Sequence, residues 1–255
     1  MKKVFSLVCF SFSIALFSCK PKPKVVPKDD GPSYASINDK SGNSYKTLRI
    51  GSQTWMVENL NTVRYSDEVK KNNVIISDSI RTLLPNDSSI LYREALAKDN
   101  VSIYPDTLSY YWKYKVGPST KDFGKLYTWY TLISRNVCPQ GFHVPSESDW
   151  DKLINFLGGS EIAGGKMKST DSTYWEQPNV GATNSSYFNA TGGGYKTEFA
   201  TFINQLKFGF YWSATEDNKF KDCAISYAFH AGTIKSYKVS KSKKAALGIR
   251  CVSNK

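Results

Sequence analysis

Histidine is nearly absent from this chain, at two residues in 255, and there are only five cysteines and three methionines. No CxxC, HxH or HExxH spacing occurs, so a structural zinc knot and a metalloprotease centre have no support in the sequence. Two imidazoles also exclude most multi-metal sites. No apolar run reaches the roughly 20 residues of a spanning helix, which excludes a polytopic membrane protein. Nothing repeats at a period of 20–50 residues, which excludes solenoids and propellers. Acidic residues stop at Asp222; residues 223–255 carry seven cationic side chains and no anion. What is present is enough for a core: 40% hydrophobic and 22% charged residues exclude wholesale disorder. Six Trp, sixteen Tyr and fourteen Phe suit a loop-rich domain with aromatic packing, or an aromatic binding face. The length allows one large domain or two small ones.

Residues 1–18 read as an address. Lys2 and Lys3 precede a 14-residue segment, 4–17, with 11 apolar residues. A charged start followed by a short apolar stretch is the pattern of a secretory leader. It ends in Leu16-Phe17-Ser18-Cys19, which resembles a bacterial lipobox, although Phe17 stands where a small residue is usual. Cys19 is thereby the expected lipidation site, and two or more acyl chains would anchor the chain stably. Residues 19–44 begin with alternating Lys and Pro, extended and solvated, and read as a semi-rigid tether. Lys28-Asp29-Asp30 resembles short charged signals that send some bacterial lipoproteins to the outer surface. Losing residues 1–18 removes two lysines and no acid, so +12 becomes +10. The basic C-terminal end could meet phosphate, anionic lipid or acidic glycan. The favoured reading is plainer: lysines crowd an exposed hairpin and block edge-to-edge sheet pairing. Nucleic acid is not expected as a partner of an exported protein.

The folded domain is placed at 45–255. Residues 45–50 alternate and place Leu48 and Ile50 on one face; Gly51-Ser52 is a two-residue turn, and residues 53–57 resume a strand, giving a hairpin. Residues 66–105 are polar and weakly periodic and read as an insertion, with one short helix around 90–97. Leu126, Trp129, Tyr130 and Ile133 fall at i, i+3, i+4 and i+7, the stripe of a helix. Ser146 and Asp149 form a capping box for a second helix with Trp150, Leu153, Ile154 and Leu157 on its buried face, stopped by Gly158-Gly159. From 158 onward Gly, Asn, Ser and Thr predict long loops joining short strands at 208–214, 224–230, 234–239 and 247–252. Two helices and short antiparallel strands make an α+β domain.

Several stretches carry a family resemblance: IGSQTWMVENL at 50–60, GKLYTW at 124–129, CPQGFHVP at 138–145 leading into Asp149-Trp150, AGGKMKST at 163–170, GATN at 181–184, YWSATE at 211–216 and GIRCV at 248–252. Together, in this order, over about 45–252, they resemble the Fibrobacter succinogenes major paralogous domain family of exported bacterial proteins. The insertion at 66–105 and the YFNAT stretch at 187–191 depart from that pattern. The resemblance implies a C-type-lectin-like fold in which the terminal strands pair. It transfers no established activity, and a fold does not imply a function. The His-Val-Pro step before a Ser-capped helix also looks like the formylglycine-generating-enzyme branch of that fold.

Cys9 leaves with the leader and Cys19 takes lipid, so of Cys138, Cys223 and Cys251 two should pair in an oxidising compartment. Cys138 and His143 have the types of a nucleophile and its base. The family pattern implies instead a Cys138–Cys251 disulfide, which leaves Cys223 over and no catalytic residue. Gly164-Gly165-Lys166 fails as a phosphate loop because Ser160 stands at the first glycine position and Met167 where Ser or Thr must hold Mg²⁺. Gly192–Gly194 lacks the glycine spacing of a dinucleotide fingerprint. Residues 176–179, Glu-Gln-Pro-Asn, resemble the loops with which C-type lectins hold Ca²⁺ and sugar hydroxyls; a turn is the favoured reading, so no cofactor is expected beyond Ca²⁺ at this one place. Asp171-Ser172-Thr173 and two similar triplets resemble O-glycosylation signals of short, chance-prone length.

The function expected is a non-catalytic, lipid-anchored binding or adhesion module of the outer membrane or cell surface, with a glycan or protein ligand. The alternatives are a formylglycine-generating type of oxidase and a structural envelope spacer. The candidate ligand-binding residues are Trp175, Glu176, Asn179, Tyr187, Tyr195 and Trp212, on the loop-rich half. The anchor is directly testable: Cys19→Ala should abolish palmitate labelling and release the protein from the membrane fraction. Retention of the variant at wild-type level contradicts lipidation at Cys19.

Overall fold

The alternation at 44–50 becomes strand β2 (Ser44–Ile50), flanked by β1 (Ala35–Asn38) and β3 (Gln53–Met56). Ile50 lies opposite Gln53, so Gly51-Ser52 is the predicted two-residue turn, and Gly51 takes the left-handed φ of 61° that such a turn needs. Leu48 and Ile50 are both buried. The structure, a computed structural model, describes residues 31–66, 77–78, 110–113, 122–134, 136–199 and 201–255. Strand β1 pairs with β2, so the stretch read as tether contains the first strand, and one compact unit runs Pro32–Lys255. In the expected insertion, β4 (Ser77–Asp78) lies parallel to β5 (Tyr110–Lys113). The short helix expected around 90–97 lies outside the described residues.

The first expected helix is half strand. Residues Lys125–Thr128 form β6, and only Trp129–Ser134 form a helix, α1. Tyr127 pairs with Tyr111 of β5 on one side and with Leu247 of β13 (Ala246–Leu247) on the other, so a ladder takes the backbone groups a helix would use. An aromatic and β-branched run suits that central strand. Leu126 and Trp129 are buried, but Ile133, the last residue of the supposed stripe, is 51% exposed.

The second helix, α2 (Glu147–Phe156), forms as read. The Ser146 hydroxyl accepts the Asp149 N–H, the Asp149 carboxylate accepts the Ser146 N–H at 2.9 Å, and Gly158 and Gly159 leave the helix at φ 99° and 91°. Trp150, Leu153, Ile154 and Leu157 are buried. A third helix, α3 (Ser160–Met167), stands where a loop was expected. Its glycines are there for contact: a Cβ on Gly164 would lie 2.2 Å from the Lys235 carbonyl oxygen, and one on Gly165 2.6 Å from that of Gly181. Backbone-to-backbone approach, not apolar periodicity, seats this helix, so a pattern search misses it.

Strands β7 (Phe142–His143), β8 (Tyr195–Lys196), β9 (Phe202–Ile203), β10 (Phe208–Glu216), β11 (Cys223–His230), β12 (Ser236–Ser242) and β14 (Val252–Ser253) complete the described elements. Three mainly antiparallel sheets result, ordered β1-β2-β3-β14-β7, β10-β11-β12 and β4-β5-β6-β13-β8-β9. The terminal strands meet through Val252 and Trp55. The strand expected at 247–252 is broken into β13 and β14. With three helices among the described residues, the architecture is α+β and strand-rich.

Two aromatic-rich cores fill the unit. One gathers Met56, Leu60, Tyr127, Trp129, Trp212, Leu247 and Ile249 around Cys138 and Cys251. The other centres on Trp150, with Trp55 at 5.0 Å and Tyr227 stacked at 5.0 Å between ring centroids. Cys138 and Cys251 are joined by a disulfide across 113 residues, and Cys223 is free. By restricting the unfolded chain such a closure contributes on the order of 4 kcal/mol.

The break between β13 and β14 carries Arg250, which is 0% exposed. Its Nε and Nη2 donate to Asn59 Oδ1 at 3.1 and 2.5 Å. Nη1 donates to the carbonyls of Val57, Met56 and Phe188, and Nη2 to that of Asn189. The guanidinium lies 4.5 Å from the Phe188 ring centroid and 5.6 Å from that of Tyr211. A charge this buried is tolerable only when its donors are occupied. Arg250→Met leaves those acceptors without their donor, at about 1–3 kcal/mol for each group left unsatisfied. The expected loss in urea unfolding is therefore at least about 3 kcal/mol, and Arg250→Lys, with its single compact ammonium, should not restore it. A wild-type unfolding midpoint for Arg250→Met would contradict this account.

Candidate functional site

Two of the six candidate ligand residues are corrected at once. Trp175 is 1% exposed and Trp212 is 0% exposed, so neither offers a flat surface to a ligand. Trp175 donates from Nε1 to the Ala190 carbonyl at 2.9 Å, and Trp212 to that of Tyr127 at 2.7 Å. The glycines read as loop formers bring the backbone over the Trp175 ring: a Cβ at Gly192 or Gly209 would lie 3.0 or 3.3 Å from it. Tyr195 is half-buried, packed 4.9 Å from Phe210 with Lys241 Nζ 4.0 Å from its ring centroid.

Glu176 and Asn179 are half-buried in a tight turn with a cis Gln177–Pro178 bond. Asn179 donates from Nδ2 to the Ser169 carbonyl at 2.8 Å, and its N–H reaches Gln177 Oε1 at 3.3 Å, as the turn reading expects. Asn179 Oδ1 is buried and accepts no hydrogen bond from the described residues. Next along the chain, the Val180 carbonyl belongs to a different cation. Lys168 is fully buried, and its ammonium donates to the carbonyls of Val180 and His230 at 3.0 Å, Thr233 at 2.9 Å and Ala231 at 3.3 Å. Burial pulls its pKa down to about 8, which still leaves it mainly charged at neutral pH. Lys168 thus ties the end of α3 to the 179–181 turn and to the turn after β11. A Ca²⁺ ion at the 176–179 turn would face this fixed positive charge. No group of three or more His, Cys, Asp or Glu side chains gathers among the described residues. The neighbouring Lys166, which completed the false phosphate-loop match, caps α2 by donating to the Leu157 carbonyl at 2.9 Å.

Tyr187 is the candidate that remains presented to solvent, at 39% exposure. It sits at φ 55° between Asn184 at φ 48° and Asn189 at φ 56°. Asn tolerates this left-handed region; a tyrosine pays roughly 1–2 kcal/mol for it. The loop is held rigidly enough to impose it. The Tyr187 N–H reaches the Asn184 carbonyl at 2.8 Å, the Asn189 N–H reaches Asn184 Oδ1 at 2.9 Å, and Ser186 Oγ donates to the Lys166 carbonyl at 2.8 Å. Phe188 beside it is buried against Arg250. Next to Tyr187 stands Tyr34, 41% exposed, whose hydroxyl pKa is raised first by burial and then by the proximity of Tyr187 and Glu58. Lys46 Nζ lies 5.4 Å from the Tyr34 ring centroid, and Glu58 accepts the Lys46 N–H at 2.8 Å. Two exposed phenols thus lie near enough for Tyr187 to act on Tyr34, with the Lys46 ammonium on the Tyr34 ring and the Glu58 carboxylate close by. Tyr34 falls in the stretch read as tether, and nothing in local pattern joins it to residue 187.

Cys138 is unavailable as a nucleophile because it is disulfide-bonded. His143 bonds Asn254 Oδ1 through Nδ1 at 2.6 Å and Asp149 Oδ2 through Nε2 at 3.3 Å, so it extends the α2 cap instead of activating a thiol. The basic C-terminal end is largely paired. Lys235 meets Glu161 at 2.6 Å, Lys238 meets Glu147 and Asp151 at 2.7 and 3.0 Å, and the buried Lys243 meets Glu216 at 2.9 Å. Strand β12 is the edge of its sheet, where lysines oppose pairing with another chain.

Among known proteins, the model of the family described as the Fibrobacter succinogenes major domain matches residues 48–253. No curated protein and no solved structure matches the chain.

The cap at Asp149 makes a prediction in pH. Burial raises its pKa, but hydrogen bonds from the Ser146 hydroxyl and N–H and from His143 outweigh burial and hold it below the ordinary 3.8. A carboxyl with a lowered folded pKa stabilises the fold above its unfolded value and loses that contribution as pH falls through the folded value. The stability gap between wild type and Asp149→Asn should therefore be open at pH 6 and close below about pH 3.8. A gap that stays constant in urea titrations across that range contradicts the assignment.

Proposed function

The chain belongs to the Fibrobacter succinogenes major domain family, and from that premise we propose that it is an exported, lipid-anchored, non-catalytic binding or adhesion module of the bacterial envelope, taking a glycan or protein ligand at the outer membrane or cell surface. The leader and Cys19 support the location, and the pairing of the terminal strands in an α+β unit supports a C-type-lectin-like architecture. The observation that carries the binding reading is the Tyr34–Tyr187 pair. Tyr187 is an exposed aromatic held in a strained backbone conformation by a well-bonded loop, and such strain gathers where a side chain must be presented. Phenol faces with a neighbouring carboxylate and ammonium suit sugar hydroxyls or a polar peptide, and each good aromatic contact is worth about 0.5–1.5 kcal/mol beyond burial. Weak contacts of this size serve adhesion through multivalency. A formylglycine-generating type of oxidase needs a free, metal-competent cysteine pair, which the Cys138–Cys251 bond removes.

A glycan and peptide array of the unit 32–255, with and without Ca²⁺, tests the reading. Tyr187→Ala and Tyr34→Ala should each weaken the captured ligand about 2–10-fold without lowering the melting temperature. No ligand above background favours the envelope spacer. Ca²⁺-dependent binding that ignores both tyrosines would move the site to the 176–179 turn.

A further inference from the structure

Some large apolar side chains on the surface have a local reason to be there: Phe156 covers Gly51, Ile162 covers Gly158, and Ile234 packs on Gly165 and Gly181. Phe199, 83% exposed, and Phe220, 60% exposed, make no ring contact among the described residues. Phe199 tops the turn joining β8 and β9, closed by Thr197 N–H to the Thr201 carbonyl at 2.8 Å. Phe220 tops the turn joining β10 and β11, where Asp217 Oδ1 accepts the N–H groups of Lys219 and Phe220 at 2.7 and 3.3 Å. One short segment bridges the two turns. Ser242 Oγ donates to Glu198 at 3.1 Å, Lys243 N–H to the Asp222 carbonyl at 2.8 Å, and Lys243 Nζ to the Lys221 carbonyl at 2.7 Å. The two exposed rings therefore stand on neighbouring turns at one end of the fold.

The charges around them are sorted. Of the exposed carboxylates, Glu216 is paired with Lys243, Glu198 accepts from the Ser242 hydroxyl and Asp222 is exposed, while Asp217 is held by its own turn. Lys219 and Lys221, on either side of Phe220, are exposed, and so is Lys244. We infer that these two turns are a membrane-contact surface, with Phe199 and Phe220 entering the headgroup–acyl boundary of a phospholipid bilayer and the lysines reaching the phosphates. An aromatic ring flanked by long cationic side chains fits that boundary, because the stems lie along apolar surface while the ammonium groups stay in the polar layer. Anionic headgroups add attraction for each lysine near the surface. Two turns give a two-point contact, which fixes how the domain stands on the bilayer. The inference rests on the proposed lipid anchoring for its setting, since an acyl chain supplies the high local concentration at which a weak contact is populated.

Cosedimentation of the unlipidated unit 32–255, which holds both cores and the disulfide, with phosphatidylcholine vesicles tests the surface independently of Cys19. The protein should pellet with vesicles, and more so when phosphatidylglycerol is included. The double variant Phe199→Ser, Phe220→Ser should reduce partitioning at least about tenfold at an unchanged melting temperature, since neither ring is in a core. Lys219→Glu with Lys221→Glu should erase the preference for phosphatidylglycerol. Wild-type protein that stays in the supernatant with both vesicle types overturns the proposal, as does a double serine variant that pellets equally well. Self-association in solution that the double serine variant abolishes also overturns it, by assigning the rings to a second copy of the chain.

Discussion

The rest of this fold is arranged around one buried guanidinium that bonds directly to no carboxylate among the described residues, with Glu58 the negative charge that acts on it from nearby. Arg250 is fully buried, and its five N–H groups are met by neutral oxygens from Met56, Val57, Asn59, Phe188 and Asn189. Those oxygens come from two parts of the chain that are far apart in sequence, the end of the N-terminal hairpin and the 184–189 loop, and the C-terminal segment brings the guanidinium to both. Between β13 and β14 the backbone bonds several neighbours instead of one partner strand: the carbonyls of Gly248, Ile249 and Cys251 accept the N–H groups of Trp212, Leu60 and Met56. The disulfide one residue later pins the same segment to Cys138. Together they make residues 248–252 a clasp between the two cores.

The same logic of cations in carbonyl cages recurs at Lys168. Four backbone oxygens surround its ammonium and tie that loop-rich region together. A Lys supplies the charge from within the chain, at the cost of desolvation that pulls its pKa to about 8. With Arg250 and Lys168 as fixed internal cations, long Gly- and Asn-rich connections become rigid enough to force Tyr187 into a left-handed conformation. That rigidity is what separates a presented side chain from a merely exposed one.

The aromatic richness divides between two jobs. Five tryptophans, Trp55, Trp129, Trp150, Trp175 and Trp212, are sealed inside, four of them with the indole N–H on a backbone carbonyl. Among the exposed rings, Tyr34 and Tyr187 lie on loops and Phe199 and Phe220 at hairpin turns. The two pairs draw on different elements and differ in chemistry, phenols beside a carboxylate in one and bare rings beside lysines in the other. They suit different contacts of the same domain.

The sequence by itself determined the local features, because their physics is local. The two-residue turn at Gly51, the Ser146–Asp149 cap, the Gly158-Gly159 stop and the strands around 208–230 follow from backbone preference and short-range hydrogen bonding. The family stretches also carried the Cys138–Cys251 pairing. Burial and long-range pairing are settled only when distant segments meet. Residues 125–128 scan as helix, yet they are strand because β5 and β13 flank them. Helix α3 depends on how closely Lys235 and Gly181 approach its glycines. Trp175 and Trp212 have the composition of a binding face but are roofed by Gly192 and Gly209 or sunk in a core. Tyr34 reaches Tyr187 only because β1 joins the first sheet. Whether an aromatic side chain binds or packs depends on what covers it, and the covering backbone comes from elsewhere in the chain, as Gly192 and Gly209 do over Trp175.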